Sequence, residues 1–381
     1  IVNLSPDKIG YLKVISLKQN GEKVSYSVEG TVLEVSLKNP IQPGEKVIFE
    51  MVFEGQVPEL IRRAGRNSRD GVALSMAQWY PKMAEYDFEG WHAHPYIARE
   101  FHGVWGNFDV TLHIDKNYTV GGTGYLLNPQ EIGHGYEDKS QPLNISKGEK
   151  LSWHFVAPNV HDFTWAADPD FSHDIRIAEN GTALHFLYKN TNEYKKAWQE
   201  VQPLTEKALD YFNENIGKYP YKQYSVIQGG DGAMEYAMCT FIAGGKKLNE
   251  IVGSVFHELA HSWFQHILAT NESKHSWMDE GFTTYISRLA SNKILRNGEG
   301  KPSSRSYEGY FYAVKNGLDE PLTTHADRFN TNTAFSTGSY TKGSMFLTQL
   351  NYIIGEENVK YTLKKYFEDF KFKHPTPNDF K

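Results

Sequence analysis

The chain has 381 residues, a formal net charge of −6, 40% hydrophobic residues and 23% charged ones. That length exceeds one ordinary core and points to two or three domains, and the acidic balance, with no basic block, argues against nucleic acid as a partner. No run approaches the roughly 18 uninterrupted apolar residues of a membrane-spanning helix, and Cys239, the only cysteine, rules out an intrachain disulfide.

Residues 1–170 read as antiparallel β-structure. Val47, Phe49, Met51 and Phe53 alternate along one run, Phe108, Val110, Leu112 and Ile114 along a second, and Leu151, Trp153 and Phe155 along a third. Turn signals such as Asn20-Gly21, Pro43-Gly44 and Asn128-Pro129 punctuate them, and long helical periodicity is absent. A sheet domain of sandwich or saddle shape follows over 1–170. Within it, His92 and His94 form an H-x-H pair in a loop rich in Trp, Tyr and Pro, a pattern that fits an ordinary loop better than a second metal site.

From residue 171 the composition changes, and 171–381 reads as a second, mixed domain, which makes the chain α+β. Short strands around Ile175 and Leu184 lead into a helical pattern through Tyr194, Trp198, Val201, Leu209 and Phe212, where Pro203 predicts a kink or a break. A strand over Tyr224–Gln228 reaches a glycine-rich turn that opens Gly232-Ala233-Met234-Glu235-Tyr236, expected as an edge strand along a cleft. Beyond residue 280, helical spacing recurs near 280–292, 304–316, 340–354 and 357–372. The chain starts at Ile1 rather than methionine and ends on Pro375–Lys381, which reads as a helix start, so further chain is expected at both ends.

The most informative stretch is His257-Glu258-Leu259-Ala260-His261. On a helix, residues i and i+4 share a face with Cβ atoms roughly 5–6 Å apart, so both imidazoles can reach one ion. The pentapeptide sits in an apolar run from Ile251 to Leu268, where unpaired buried charges are costly. Glu280, with eighteen residues between it and His261, offers a third ligand. A His/His/Glu set gives a catalytic zinc three protein ligands and leaves one position open. Glu258, about 100° around the helix from His257, points to a general base rather than a ligand.

In this order the motifs resemble those of the zinc aminopeptidases of the gluzincin class, the aminopeptidase N family. Gly232-Ala233-Met234-Glu235-Tyr236 resembles the family's G-A-M-E-N exopeptidase motif, His257-Glu258-x-x-His261 and Glu280 match its ligand spacing, and Tyr340-Thr341-Lys342-Gly343 resembles its Y-E-K-G segment. The resemblance implies a thermolysin-like catalytic domain and one Zn²⁺ per chain held by His257, His261 and Glu280. It further implies Glu258 as base, Tyr340 as donor to the oxyanion, and Glu235, within Gly232–Glu235, as anchor for the free amine of a peptide substrate. Three departures stand out: Tyr236 and Asp279 in place of Asn, and Thr341 in place of Glu, all of which bear on subsite shape. Gln78 lies where some members send a sheet-domain side chain into the specificity pocket. The readings that compete with an aminopeptidase are a non-catalytic binding module on this fold and a thermolysin-like endopeptidase.

Overall fold

The computed structural model describes residues 4–59, 62–95 and 101–381. Strands β1 (Tyr11–Gln19) and β2 (Phe49–Gln56) pair antiparallel, and along β2 the half-buried Phe49, Met51 and Phe53 alternate with exposed neighbours, as a period-two strand requires. Three further strands follow: β3 (Leu74–Met76), β4 (Gly106–Asp115), and the wholly buried β5 (Thr119–Gly122). Then come β6 (Lys150–Val160) and β7 (Trp165–Asp168). β4 pairs antiparallel with β6, whose Leu151, Trp153 and Phe155 are buried, and β5, β7 and β3 form a second antiparallel set.

A mixed five-stranded sheet follows, built from β8 (Phe171–Ile177), β9 (Ala183–Lys189), β10 (Gln223–Gln228), β11 (Met234–Tyr236) and β12 (Cys239–Ile242). Its order is β8-β9-β10-β12-β11, parallel at β9/β10 and β10/β12 and antiparallel at both ends, so β11 is the edge strand that the glycine-rich turn predicted. The helices of twelve or more residues are α1 (Asn192–Asn215), α2 (Leu248–Phe264), α3 (Phe282–Arg296), α4 (Ser304–Lys315), α5 (Gly343–Ile354) and α6 (Glu356–Phe370). One contiguous apolar cluster runs from Leu112 and Trp153 of the early sheets through Phe186, Phe212 and Phe256 to Phe367.

The interruption expected at Pro203 does not end the helix, because α1 continues through it for 24 residues. A helix-interior proline costs about 3 kcal/mol. α1 buries Trp198, Val201, Leu209 and Phe212, each worth roughly 1.5–3 kcal/mol on leaving water, and that stripe outweighs the lost hydrogen bond. The C-terminal helix start is also realised, as a single turn over Pro377–Phe380 with a reciprocal Thr376/Asp379 cap.

Two neighbouring strands carry a paired-imidazole contact that gives the fold a pH dependence. His173 Nε2 lies 2.8 Å from His185 Nδ1, and Tyr136 stacks on both rings. Burial pushes His173 down to about 4 and His185 down to about 3. The unfolded chain, with ordinary histidines near 6.5, therefore binds more protons than the folded one below that pH. Stability is complete above about 6.5 and falls as pH drops towards 4, by about 1.4 kcal/mol per unit of separation. Urea unfolding at pH 7.5, 6.0 and 5.0 should show a midpoint that declines through this window, with a shallower decline in His185→Phe; parallel slopes for the two proteins would contradict the assignment.

Candidate metal centre

Helix α2 forms because its apolar residues fall on more than one face: Ile251, Val255, Phe256, Leu259, Ala260, Trp263 and Phe264 are all buried. It is a core helix rather than a surface one, and that burial carries its polar side chains inside with it. His261 has a side chain 1% exposed and Glu258 is 6% exposed, while the His257 ring keeps 20% and faces the cleft.

Two irregular turns bring the remaining groups to this helix. Trp277–Gly281 is a π-helical turn carrying Asp279 and Glu280, and Thr337–Lys342 is another carrying Tyr340. Such turns widen the helix by one residue and recur at functional sites. They pack against each other at Gly281 and Gly343. A Cβ added to Gly343 would lie 2.8 Å from Gly281 Cα and 2.8 Å from the Trp277 carbonyl oxygen, and one added to Gly281 would lie 2.5 Å from Gly343 Cα. Ser276 and Ser339 hydroxyls, 2.7 Å apart, close the same seam. The glycine of Tyr340-Thr341-Lys342-Gly343 is thus a spacing requirement: no side chain fits where the two turns touch.

The ligand atoms form a compact triangle. His257 Nε2 is 3.0 Å from Glu280 Oε2, His261 Nε2 is 3.2 Å from the same oxygen, and the two Nε2 atoms are 3.2 Å apart. Zinc–nitrogen and zinc–oxygen bonds of about 2.0–2.2 Å at a tetrahedral angle require edges of roughly 3.3 Å. The chain's own residues therefore fit a tetrahedral ion, with a vertex left over.

Behind the triangle lies a group that sequence reasoning treated only as a departure from the family pattern. Asp279 is fully buried, its Oδ1 is 2.6 Å from His261 Nδ1, and Thr283 Oγ1 is 3.2 Å from the same nitrogen. A carboxylate on the far ring nitrogen fixes the tautomer that leaves Nε2 free to ligate, and it raises the ligand's basicity. Asp279 shapes the ligand rather than a subsite wall. Its adjacency to Glu280 in the sequence was the available signal.

The pocket is electrostatically crowded. Glu235, Glu258, Asp279 and Glu280 are all buried around His261. Burial, reinforced by Glu235, pushes the Glu258 carboxyl well above the carboxylate range, and burial pushes Asp279 up to about 8. Burial opposes ionisation of Glu280 too, but His261 and His257 override it and hold that carboxyl below its ordinary value. Burial alone would depress His261, and Glu235, Asp279 and Glu280 instead hold it well above an ordinary histidine. Asp279 Oδ2 and Glu235 Oε1 have no hydrogen-bond partner among the described residues. A buried cluster with this excess of negative charge calls for a cation.

His257, Glu258 and Tyr340 line one cleft of about 490 Å³, and the Tyr340 ring stacks on His257 with centroids 5.8 Å apart. Glu235 adjoins this cleft, with a carboxylate oxygen within 4.8 Å of ligand atoms of Glu258 and of His261. It is 4% exposed on edge strand β11, with Oε1 3.8 Å from His261 Nδ1, and among the predicted substrate-binding residues Gly232 and Ala233 are half-buried and Met234 buried. Gln78 is exposed, in a left-handed backbone conformation (φ +48°), and adjoins Tyr236. The H-x-H pair divides. The Asn271 side-chain oxygen accepts from the Lys274 backbone N–H, which aims its amide nitrogen at His92 Nδ1, 3.2 Å away, and leaves the His92 proton on Nε2, 2.9 Å from Asp87 Oδ2. His92 is a partnered loop histidine, and His94 packs edge-on against His325.

Two helical imidazoles, a carboxylate from the π-helical turn that precedes α3, and an edge strand alongside make an arrangement that resembles the gluzincin pattern. Residues 203–381 match the Peptidase family M1 domain. It is 22% identical over 98% of its length to the leucyl aminopeptidase of Saccharolobus solfataricus, covering 46% of that protein, and 28% identical over 66% of its length to leucine aminopeptidase 2 of Chaetomium globosum, covering 42%. The chain thus spans less than half the length of these curated relatives. Its fold matches the crystal structure of the M1 zinc metallopeptidase from Deinococcus radiodurans, with a TM-score of 0.70 at 18% identity over 98% of this chain and 80% of that one.

The glycine seam is directly testable. Gly343→Ala should lose about 1–3 kcal/mol in urea unfolding, as overpacking of a close contact does. Gly253→Ala on α2, where an added methyl meets nothing within 4 Å, should be neutral or stabilising by about 1 kcal/mol. Equal effects would mean that Gly281 and Gly343 are not under steric constraint.

Proposed function

We propose that this chain is a zinc-dependent aminopeptidase that binds one zinc ion through His257, His261 and Glu280, with 1–170 as sheet domain and 171–381 as catalytic domain. The observation that carries this reading is the ligand triangle with Glu258 and Tyr340 in the cleft beside it. It is supported by the names of the relatives and by a neighbouring structure, the Deinococcus radiodurans M1 zinc metallopeptidase, solved as a mutant bound to a Tyr-Ser-Ala substrate.

Zinc at this site supplies Lewis-acid chemistry, polarising a carbonyl and acidifying water by several pKa units. The rest falls to the chain's own side chains. Glu258, one residue on from His257 and in the same cleft, takes the proton of the attacking water and delivers it to the departing amine nitrogen. The raised proton affinity that burial gives Glu258 suits a group that must hold a proton between those two events. The Tyr340 hydroxyl donates a hydrogen bond to the oxyanion as the carbonyl carbon becomes tetrahedral. Glu235 pairs with the α-ammonium group, so that only a chain beginning there has its first peptide bond over the ligand triangle. Its unsatisfied, buried Oε1 supports such a partner, whereas its position on the Nδ1 side of His261 favours an endopeptidase in which it only supports that ligand.

Glu258→Gln should retain zinc stoichiometry and lose about 10²–10⁴ in kcat on amino-acid arylamides, and Tyr340→Phe about 10²–10³. Wild-type turnover in Glu258→Gln would remove the base assignment. Elemental analysis should find one zinc per chain, lost to a chelator together with activity. Asp279→Ala should weaken zinc binding about 10- to 100-fold. Glu235→Ala should suppress arylamide hydrolysis far more than cleavage of N-acetylated peptides; equal losses on both would favour the endopeptidase.

A further inference from the structure

The cleft beside the metal centre is asymmetric in charge. Its inner end carries Glu258, the only carboxylate lining it, and its outer wall carries four cations: Arg288 and Arg296 on α3, and Lys301 and Arg305 at the start of α4. By contrast, Lys342 pairs with Asp319 at 2.6 Å and Lys274 with Glu89. None of these four has a carboxylate within ion-pair distance among the described residues. Arg288 is half-buried and reaches only the Ser306 hydroxyl. Burial, and after it the like charge of Arg305, makes its guanidinium less stable as a cation than an ordinary arginine. The N-terminus of α4, through Ser304 and Arg305, adds the positive end of a twelve-residue helix to the same wall.

We infer that this wall is a carboxylate-binding subsite, centred on Arg288 and Arg305, which holds the C-terminal carboxylate of a di- or tripeptide whose first bond lies at the ligand triangle. The inference rests on the peptidase reading above and narrows its substrate class. Helical spacing fits it. Glu280, Thr284 and Arg288 succeed one another four residues apart, and Thr284 lines the cleft as well. Eight residues advance about 12 Å along a helix, and helical side chains lean back towards the N-terminus, which aims Arg288 towards Glu280. An extended substrate advances about 3.3 Å per residue, so a carboxylate one or two residues past the scissile bond falls within a guanidinium's reach. Two guanidiniums present the forked donors that carboxylates accept in pairs.

The same chemistry could come from an acidic side chain at the second residue, and the experiment separates the two. Binding of Leu-Ala-Ala, Leu-Ala-Ala-amide, Leu-Glu-Ala-amide and Leu-Gln-Ala-amide to the zinc-loaded Glu258→Gln protein is measured by calorimetry, alongside kcat/KM of the active protein on the same peptides. The free acid should be preferred over its amide about 10- to 100-fold, with a smaller Glu-over-Gln ratio. In Arg288→Gln/Arg305→Gln both ratios should approach one. A dominant Glu-over-Gln ratio would keep the carboxylate subsite and move its ligand to the side chain. Ratios near one in the parent protein, or ratios unaltered by the double substitution, overturn the subsite. Because calorimetry needs no turnover, peptides that bind with these ratios but are not cleaved would sink the peptidase reading and leave the subsite standing.

Discussion

Four carboxylates, Glu235, Glu258, Asp279 and Glu280, are buried around two imidazoles, and the cost of that arrangement governs the rest of the structure. Burial, with neighbouring carboxylates adding to it, keeps Glu258 and Asp279 protonated above their ordinary range, while Glu280, in direct contact with both rings, gives its proton up. Environments that push neighbouring carboxyls apart in this way separate acid–base groups from ligands. Positive charge placed among the three ligand atoms lowers the cost of every anion around it. The pocket is therefore a poor place for an empty core and a good one for a divalent ion.

Holding such a cluster together requires elements that cannot relax away from it. α2 is anchored by burial on several faces, so His257 and His261 cannot rotate out without exposing Phe256 or Trp263. Glu280 and Tyr340, sixty residues apart in the chain, are brought to it by two π-helical turns locked backbone to backbone at Gly281 and Gly343. Glu280 and Tyr340 thus share one seam of close backbone contact.

What the sequence made legible was the part of the site written in side-chain identity at fixed spacing. His257, Glu258, His261 and Glu280 could be placed because helix periodicity converts spacing into direction, and β11 could be placed at an edge because glycines precede it. Three features depend on contacts between distant segments and could not be read that way. Asp279 looked like a lost asparagine until the fold set it against His261 Nδ1. Gly343 looked like the tail of a motif until Gly281 was found against it. Pro203 pointed to a kink or a break because its local cost is visible in sequence, while the buried stripe that carries the helix through it is a tertiary quantity. The position of Glu235 beside His261 Nδ1 and outside the cleft lining belongs to the same class: its motif is local, but its direction is set by how the edge strand meets α2.

The charge of the whole chain conceals the charge of the cleft. A net −6 argues against nucleic acid as a partner, yet the wall formed by α3 and α4 concentrates Arg288, Arg296, Lys301 and Arg305 within a space of about 490 Å³ whose inner end carries Glu258. Global charge sets solubility and long-range steering, whereas a low-dielectric cleft responds to the charges that line it. A short peptide is itself a dipole, with an ammonium at one end and a carboxylate at the other. A cleft acidic towards the ligand triangle and basic away from it aligns that dipole before any side chain is read, and it does so only when the carboxylate lies one or two residues past the reacting bond. The polarity of the cleft thereby selects for length, a property that no single motif in the sequence encodes.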